Sequence, residues 1–173
     1  HDDHDEKEYR VKTALCPGTY DPVTVGHVDV ITRCSTIFAE VVIAVVDDSF
    51  RKTVLFNVEE RVRFLEESTK QLPNVRVVVM RGLVVELARE VGAHVLVKGL
   101  RAFTDFEYEF QMAQLNRKLD PDLETMYLMA SPEHSFLSSS GVKEIAKFGG
   151  CVSDLVPEVV ERRFAQMYGC AED

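Results

Sequence analysis

A continuous run of β-branched and small apolar residues, Glu-Val-Val-Ile-Ala-Val-Val from Glu40 to Val46, constrains the fold of this chain more than any other stretch. It lacks the alternation of a strand with one wet face, so both faces must be buried, the pattern of a strand inside a parallel sheet. Parallel neighbours need long crossovers, usually helical, and the sequence supplies them. Thr13 to Leu15 reads as a first strand and Val28 to Phe38 as an amphipathic helix; Val75 to Met80, Val95 to Lys98 and Glu124 to Met129 read as further strands. Between them lie a helix from Asn57, with Glu60 as its capping-box partner, to about Leu72, and a short one from Leu83 to Val91 stopped near Gly92. Asp105 caps a helix to about Leu119, Ser138 to Ser140 precede another that ends at Gly149-Gly150, and Pro157 fits the first turn of a last one. The expectation is an α/β domain with a doubly wound, five-stranded parallel sheet and flanking helices.

At 173 residues and 46% hydrophobic, the chain can bury one core and is too short for two ordinary domains. Its net charge is −9; residues 1–10 carry five acids and two bases, hence −3, leaving −6 for the rest. Residues 1–10 read as an acidic leader, disordered or vector-derived, and 11–173 as the domain. An acidic body argues against a nucleic-acid binder, whose affinity comes largely from basic surface. Anionic substrates then need a local basic pocket. Cys16, Cys34, Cys151 and Cys170 show neither C-x-x-C pairing nor a His at zinc-ligand spacing, which points to reduced thiols in a cytoplasmic protein. No apolar run approaches the ~18 residues of a membrane span, and the N-terminus is acidic where a signal peptide is basic.

In a doubly wound sheet, ligands bind beyond the carboxyl ends of the strands. Cys16 to His27, Cys-Pro-Gly-Thr-Tyr-Asp-Pro-Val-Thr-Val-Gly-His, reads as the connection from the first strand to the first helix. A helix start offers unpartnered N–H groups and the positive end of a dipole to an anion. Gly18 would let the backbone approach a ligand, Gly26 would let the chain turn tightly, and His27 could donate to a phosphate oxygen. A lone His in a loop is usually just solvated, and a Gly- and Pro-rich turn is usually only a turn; the position between first strand and first helix makes the phosphate reading specific. The stretch is neither a Gly-x-Gly-x-x-Gly fingerprint nor a P-loop. The loops holding Thr19 and His27, Lys52, Lys98 and Arg101, and Ser138 to Ser140, with Lys143 one turn in, all follow predicted strands and should converge on one face. One serine would be an ordinary N-cap, and Glu107 and Glu109 in a first helical turn are equally ordinary. No Ser/His/Asp series or paired carboxylates demand acid–base work. Transfer of a nucleotidyl group to a phosphate fits, because that nucleophile is already ionised near neutral pH. Catalysis then consists of holding two anions in line and neutralising charge, usually with Mg²⁺.

Thr24-Val25-Gly26-His27 resembles the Thr/His-x-Gly-His signature of the nucleotidylyltransferase superfamily. Pro17 to Pro22, Glu59-Glu60-Arg61, Gly99-Leu100-Arg101, Asp105 to Glu109 and Ser135 to Ser140 extend the resemblance, from about Thr13 to about Tyr168, to the bacterial branch that adenylylates 4'-phosphopantetheine. The resemblance implies a Rossmann-like sheet, ATP and 4'-phosphopantetheine as substrates, dephospho-coenzyme A and pyrophosphate as products, Mg²⁺ with ligands the motifs do not assign, and a cytoplasmic homohexamer. It implies that His27, Lys52 and Arg101 are catalytic, Lys52 holding the nucleophilic phosphate. Thr19, Lys52, Leu83 and Lys98 would bind the acceptor, with Leu83 along the pantetheine arm. Thr19, Tyr20, His27, Gly99, Arg101, Glu109, Ser135, Phe136, Ser138, Ser139 and Ser140 would bind ATP, the main-chain N–H groups of the serine turn taking its β- and γ-phosphates. Two departures stand out. Lys98 occupies a position where many relatives have Arg, keeping the charge without the bidentate fork; and the Asp47 to Phe56 loop is one residue longer than usual, so Lys52 is chosen over Arg51 by counting back from Phe56.

Two other readings compete. An adenylyl- or cytidylyltransferase for another acceptor, such as nicotinamide mononucleotide or glycerol phosphate, would usually carry a Ser-Thr-x-x-Arg type motif where this chain has Ser-Ser-Ser-Gly-Val-Lys. A non-catalytic nucleotide or coenzyme A sensor would not need His27, Lys52 and Arg101 intact.

Overall fold

The computed structural model describes residues 13–47 and 53–169. In chain order they form β1 (Thr13–Gly18), α1 (Val25–Ile37), β2 (Glu40–Val46), α2 (Val58–Thr69), β3 (Val75–Met80), α3 (Val84–Val91), β4 (Val95–Leu100), α4 (Phe106–Leu119), β5 (Glu124–Met129), a 3₁₀ turn (Pro132–His134), α5 (Ser139–Lys147) and α6 (Glu158–Tyr168). The strands make one five-stranded sheet in the order β3-β2-β1-β4-β5, every pair parallel. This is the Rossmann-like, doubly wound architecture expected.

β2 is buried on both faces, as its unbroken apolar run requires. Val42 and Ala44 join Leu15, Val85, Ala88, Leu96 and Leu123 in a core under α3. Ile43 and Val45 point the other way, into a larger core with Ile31, Phe56, Phe64, Val142, Val160 and Phe164. Phe56 anchors that core, edge-on to Phe64 with ring centres 5.1 Å apart and tilted against Phe164 at 5.5 Å.

Several boundaries differ from the sequence expectation. β1 runs on to Gly18 and β4 to Leu100, so Cys16-Pro17-Gly18 and Lys98-Gly99-Leu100 are strand, not loop. α1 begins at Val25, so Gly26 is helical and makes no tight turn. α2 stops at Thr69, and α3 starts at Val84 with Leu83 at its N-cap. Asn57 caps α2 by accepting from the N–H of Glu60, but the Glu60 carboxylate does not close a capping box; it accepts from Arg163 Nε at 2.9 Å and ties α2 to α6. No helix among the described residues is long and apolar enough to cross a membrane.

Candidate active site

The order of the sheet reverses at β1, with β2 and β3 to one side and β4 and β5 to the other. β1 pairs with β2 as far as Gly18↔Val45, yet with β4 only at Ala14↔Val95 and Leu15↔Leu96. Beyond Leu15 the two strands part, next to Pro17, which has no N–H for a ladder. The gap floors a cavity of about 530 Å³, lined by Cys16 to Asp21, by Gly26 and His27 of α1, by Val97 to Gly99 and Arg101, by Glu109 of α4, and by Ser139, Ser140 and Lys143 of α5. This is the switch point at which such sheets bind ligands.

Thr24 is the N-cap of α1, and His27 takes the third helical position, which Glu or Gln fills in the usual capping box. The Thr24 N–H donates to His27 Nδ1 at 2.9 Å, and Thr24 Oγ1 accepts from the His27 N–H at 3.3 Å. A nitrogen that accepts an N–H carries no proton of its own, so the neutral ring holds its proton on Nε2. Burial first, and then the charge of Arg101, lowers the imidazole pKa to about 4. His27 is therefore a neutral hydrogen-bond donor fixed in orientation by its own helix cap.

Gly18 acts through its missing side chain, in a different way from the close ligand approach expected. A Cβ there would lie 2.9 Å from the Tyr20 ring. Tyr20 sits in the left-handed region at φ 50°, with its hydroxyl donating to the Cys16 carbonyl at 3.0 Å and its ring edge-on to His27 at 5.0 Å. Tyr20 therefore lines the cavity with its ring, and its hydroxyl is engaged in the loop itself.

On the opposite wall, Arg101 Nη1 donates to the Leu137 carbonyl at 2.6 Å, which places the guanidinium beside the start of α5. Lys98 Nζ meets Glu109 Oε2 at 2.9 Å, and Tyr127 donates to the same oxygen at 2.8 Å. Burial and the Glu109 contact raise the Tyr127 pKa, keeping that hydroxyl a donor. Ser138 caps α5 by accepting from the Gly141 N–H at 3.0 Å. Ser139 and Ser140, at the first two helical positions, have N–H groups with no intrahelical acceptor, and both residues line the cavity.

Two further residues organise the motif loop, although the sequence reading gave them no role. Asp21, 4% exposed, accepts from the N–H groups of Leu55 and Phe56 at 2.8 and 2.9 Å and from Lys143 Nζ at 2.9 Å. Arg61, 2% exposed, donates to the carbonyls of Phe56, Thr19 and Val46 at 3.0, 2.8 and 2.9 Å. The signal for Arg61 was its place on the apolar stripe of α2 with Val58, Phe64 and Leu65, where a charge must have buried partners.

The sequence pattern of the cytidylyltransferase-like family matches residues 15–145. Curated relatives named phosphopantetheine adenylyltransferase include that of Caldanaerobacter subterraneus subsp. tengcongensis, 48% identical over 158 residues, which are 91% of this chain and 98% of the relative. That of Thermodesulfovibrio yellowstonii is 53% identical over 151 residues, 87% of this chain and 94% of its own. The chain belongs to the phosphopantetheine adenylyltransferase family. At the level of fold, it also resembles a Vibrio parahaemolyticus protein provisionally named nicotinate-nucleotide adenylyltransferase, with a TM-score of 0.67 at 16% identity over 91% of this chain and 93% of that one.

Of the residues that the family resemblance singled out, Thr19, Tyr20, His27, Lys98, Gly99, Arg101, Glu109, Ser139 and Ser140 come together around the one cavity. Four do not line it. Leu83 is exposed at the start of α3, Ser138 is the α5 cap, Ser135 Oγ donates to the Pro132 carbonyl, and Phe136 is 74% exposed with its ring edge against Phe103. Lys52, and Arg51 weighed against it, lie outside the described residues; Thr53, the residue after Lys52, lines the cavity.

Proposed function

We propose that this chain transfers the adenylyl group of ATP to 4'-phosphopantetheine, giving dephospho-coenzyme A and pyrophosphate. The observation that carries the reading is the convergence of a neutral His27 donor, the Arg101 guanidinium and the open α5 helix start on one cavity at the sheet's switch point. Relatives about half identical to this chain bear the name of that activity. In this reading the N–H groups of Ser139 and Ser140, with Arg101, take the β- and γ-phosphates. His27 Nε2–H and Thr19 meet the α-phosphate. An oxygen of the acceptor phosphate attacks the α-phosphorus, the new P–O bond forms as the α–β bridge breaks, and pyrophosphate leaves toward the α5 start. The acceptor phosphate is already anionic, so no residue has to remove a proton, and positioning with charge stabilisation does the catalysis. Glu109 borders the nucleotide, Lys98 beside it is assigned to the acceptor, and Leu83 would meet the far end of a pantetheine arm that reaches out of the cavity.

Mg²⁺ fits this set as part of the ATP complex. Both cavity carboxylates are engaged, Asp21 by two N–H groups and Lys143, Glu109 by Lys98 and Tyr127. Among the described residues no group of three or more His, Cys, Asp or Glu could cage an ion. Phosphate oxygens and water would coordinate it, and it would neutralise triphosphate charge.

Lys52 is assigned to the acceptor phosphate. The expected result is that Lys52→Ala damages turnover more than Arg51→Ala in steady-state assays; the reverse order would move the role to Arg51. Assembly as a homohexamer in the cytoplasm belongs to the same reading. It is supported by α4, which has no buried residue and exposes Phe106, Tyr108, Phe110, Leu115 and Leu119, and by the edge strand β5, which exposes Met126 and Met129. Sedimentation velocity at micromolar concentration should give six copies, and a monomer would remove that part of the proposal.

The decisive assay follows pyrophosphate release from ATP and Mg²⁺ with 4'-phosphopantetheine, nicotinamide mononucleotide or glycerol 3-phosphate as acceptor. Release with phosphopantetheine alone is expected. Preference for another acceptor would overturn the substrate, and silence from folded protein that still binds ATP would favour a sensor.

A further inference from the structure

Lys98 and Tyr127 are register partners on β4 and β5, so their side chains leave the sheet on the same face. Both reach a single atom of α4. Lys98 Nζ meets Glu109 Oε2 at 2.9 Å, and the Tyr127 hydroxyl donates to the same oxygen at 2.8 Å. Lys98 and Glu109 line the cavity, and Tyr127 does not. The lysine and glutamate side chains are only 25% and 21% exposed, so a charge left alone in either place is costly.

This arrangement bears on how an anionic acceptor is received. An ammonium that engages an incoming phosphate gives up part of its hold on the carboxylate, and a largely buried carboxylate with a single partner resists that loss. A second donor on the same oxygen removes the difficulty. Burial and the Glu109 contact push the Tyr127 phenol up, so at neutral pH it keeps its proton and stays a donor to the carboxylate. Because the two donors share one oxygen, Lys98 is also held less tightly than a sole partner would be. It spends one of its three donors there among the described residues.

We infer that Tyr127 is a positioning residue, whose hydroxyl holds Glu109 in place while the Lys98 ammonium turns from that carboxylate to the phosphate of the acceptor. Tyr127 touches neither substrate and acts through Glu109. The inference rests on the adenylyl-transfer reading for the identity of the acceptor. It goes beyond that reading in assigning to a residue outside the cavity the ease with which the cation is released.

Two measurements on the full chain test it. The first is calorimetry with 4'-phosphopantetheine and with pantetheine, which lacks the phosphate and makes no call on Lys98. Tyr127→Phe should weaken phosphopantetheine binding about tenfold, the scale of one hydrogen bond to a charged group, and leave pantetheine binding within about twofold. Equal weakening of both ligands, or unchanged phosphopantetheine binding in the folded variant, would overturn the inference. The second measurement needs no substrate and compares Tm for Tyr127→Phe, Lys98→Met and the double variant. Once Lys98 is gone the phenol is the donor left on Glu109 Oε2, so Tyr127→Phe should lower Tm about twice as far in the Lys98→Met background as in the wild type. Additive losses, the behaviour of a hydroxyl that does not share its partner with Lys98, would overturn the inference. Failure of the wild-type protein to bind or turn over phosphopantetheine would overturn the underlying reaction, while the Tm comparison would still decide whether Tyr127 stands in for Lys98 at Glu109.

Discussion

Replacing His27 by alanine lowers kcat by about two to three orders of magnitude and leaves ATP binding within a few-fold, the loss typical of one preorganised donor to a developing charge. The size follows from the way the donor is held. Nδ1 is occupied by the Thr24 N–H at 2.9 Å, so the ring cannot rotate or change tautomer without giving up the helix cap. Its Nε2–H then waits in place for the phosphoryl oxygens. The alanine variant keeps the Thr24 Oγ1 cap but loses the reciprocal bond from the Thr24 N–H, at a cost of about 1 kcal/mol, so kcat is to be compared in protein shown to be folded at the assay temperature. A folded variant with near-normal turnover would remove His27 from the mechanism.

The same geometry fixes the pH behaviour. The folded-state pKa of His27 is lowered to about 4, against an ordinary value of 6.5. Between those values the unfolded chain binds the proton and the folded chain does not. The neutral, buried His27 therefore costs the protein nothing above about pH 6.5 and progressively destabilises it as pH falls toward 4, with a slope of at most ~1.4 kcal/mol per pH unit. Denaturant titrations should show the wild-type chain losing stability relative to His27→Ala over that window, and parallel curves above it. In the rate profile, His27 contributes no inflection between about pH 6 and 8, because it is already neutral there. A limb near 6.5 that vanished with His27→Ala would contradict the lowered pKa of the buried ring.

The sequence was most legible where side-chain chemistry is monotonous. Glu40–Val46 and Val75–Met80 are legible to the residue because β-branched runs flanked by polar residues have little else to do in a parallel sheet, and Glu124–Met129, with one β-branched residue, is bounded as closely by its apolar run between polar turns. It was least legible at the site. Cys16-Pro17-Gly18 and Lys98-Gly99-Leu100 carry turn-forming residues and read as loops, yet they continue as strands because their outer neighbours, β2 and β5, hold them in register. Their turn-like composition marks instead the place where β1 and β4 part and the cavity opens. The Thr24–His27 cap is present in the sequence as a capping-box spacing with His in place of Glu, but the amphipathic run that marks the helix begins only at Val28, three residues beyond its actual start at Val25. Asp21 acts on partners 34, 35 and 122 residues away in sequence and Arg61 reaches one 42 residues away, relations that no local pattern encodes.

Arg61→Met is expected to be the most damaging single change outside the cavity. Arg61 is 2% exposed and, among the described residues, meets no carboxylate; its partners there are three main-chain carbonyls, those of Phe56, Thr19 and Val46. These belong to three different segments: the residue before the α2 cap, the motif loop, and the end of β2. Methionine fills comparable space without a donor, so three acceptors, one buried and two part-buried, lose their partner at once. The cost of leaving such groups unsatisfied is about 1–3 kcal/mol each, which puts the total near 3 kcal/mol even if water reaches one or two of them. For a domain of this length that is a fall of about 10 °C in Tm. Turnover of the molecules that remain folded should fall about tenfold, because the Thr19 carbonyl is what holds the motif loop at its distance from His27, and small displacements are costly in a preorganised site. Lysine is no substitute, since a compact ammonium cannot span three carbonyls laid out for a planar fork; Arg61→Lys should recover less than half of the lost stability. Calorimetry together with kcat measured below the variant's transition separates the two effects. A Tm within about 2 °C of wild type would show that the three carbonyls find other partners and that the clamp does not hold the loop.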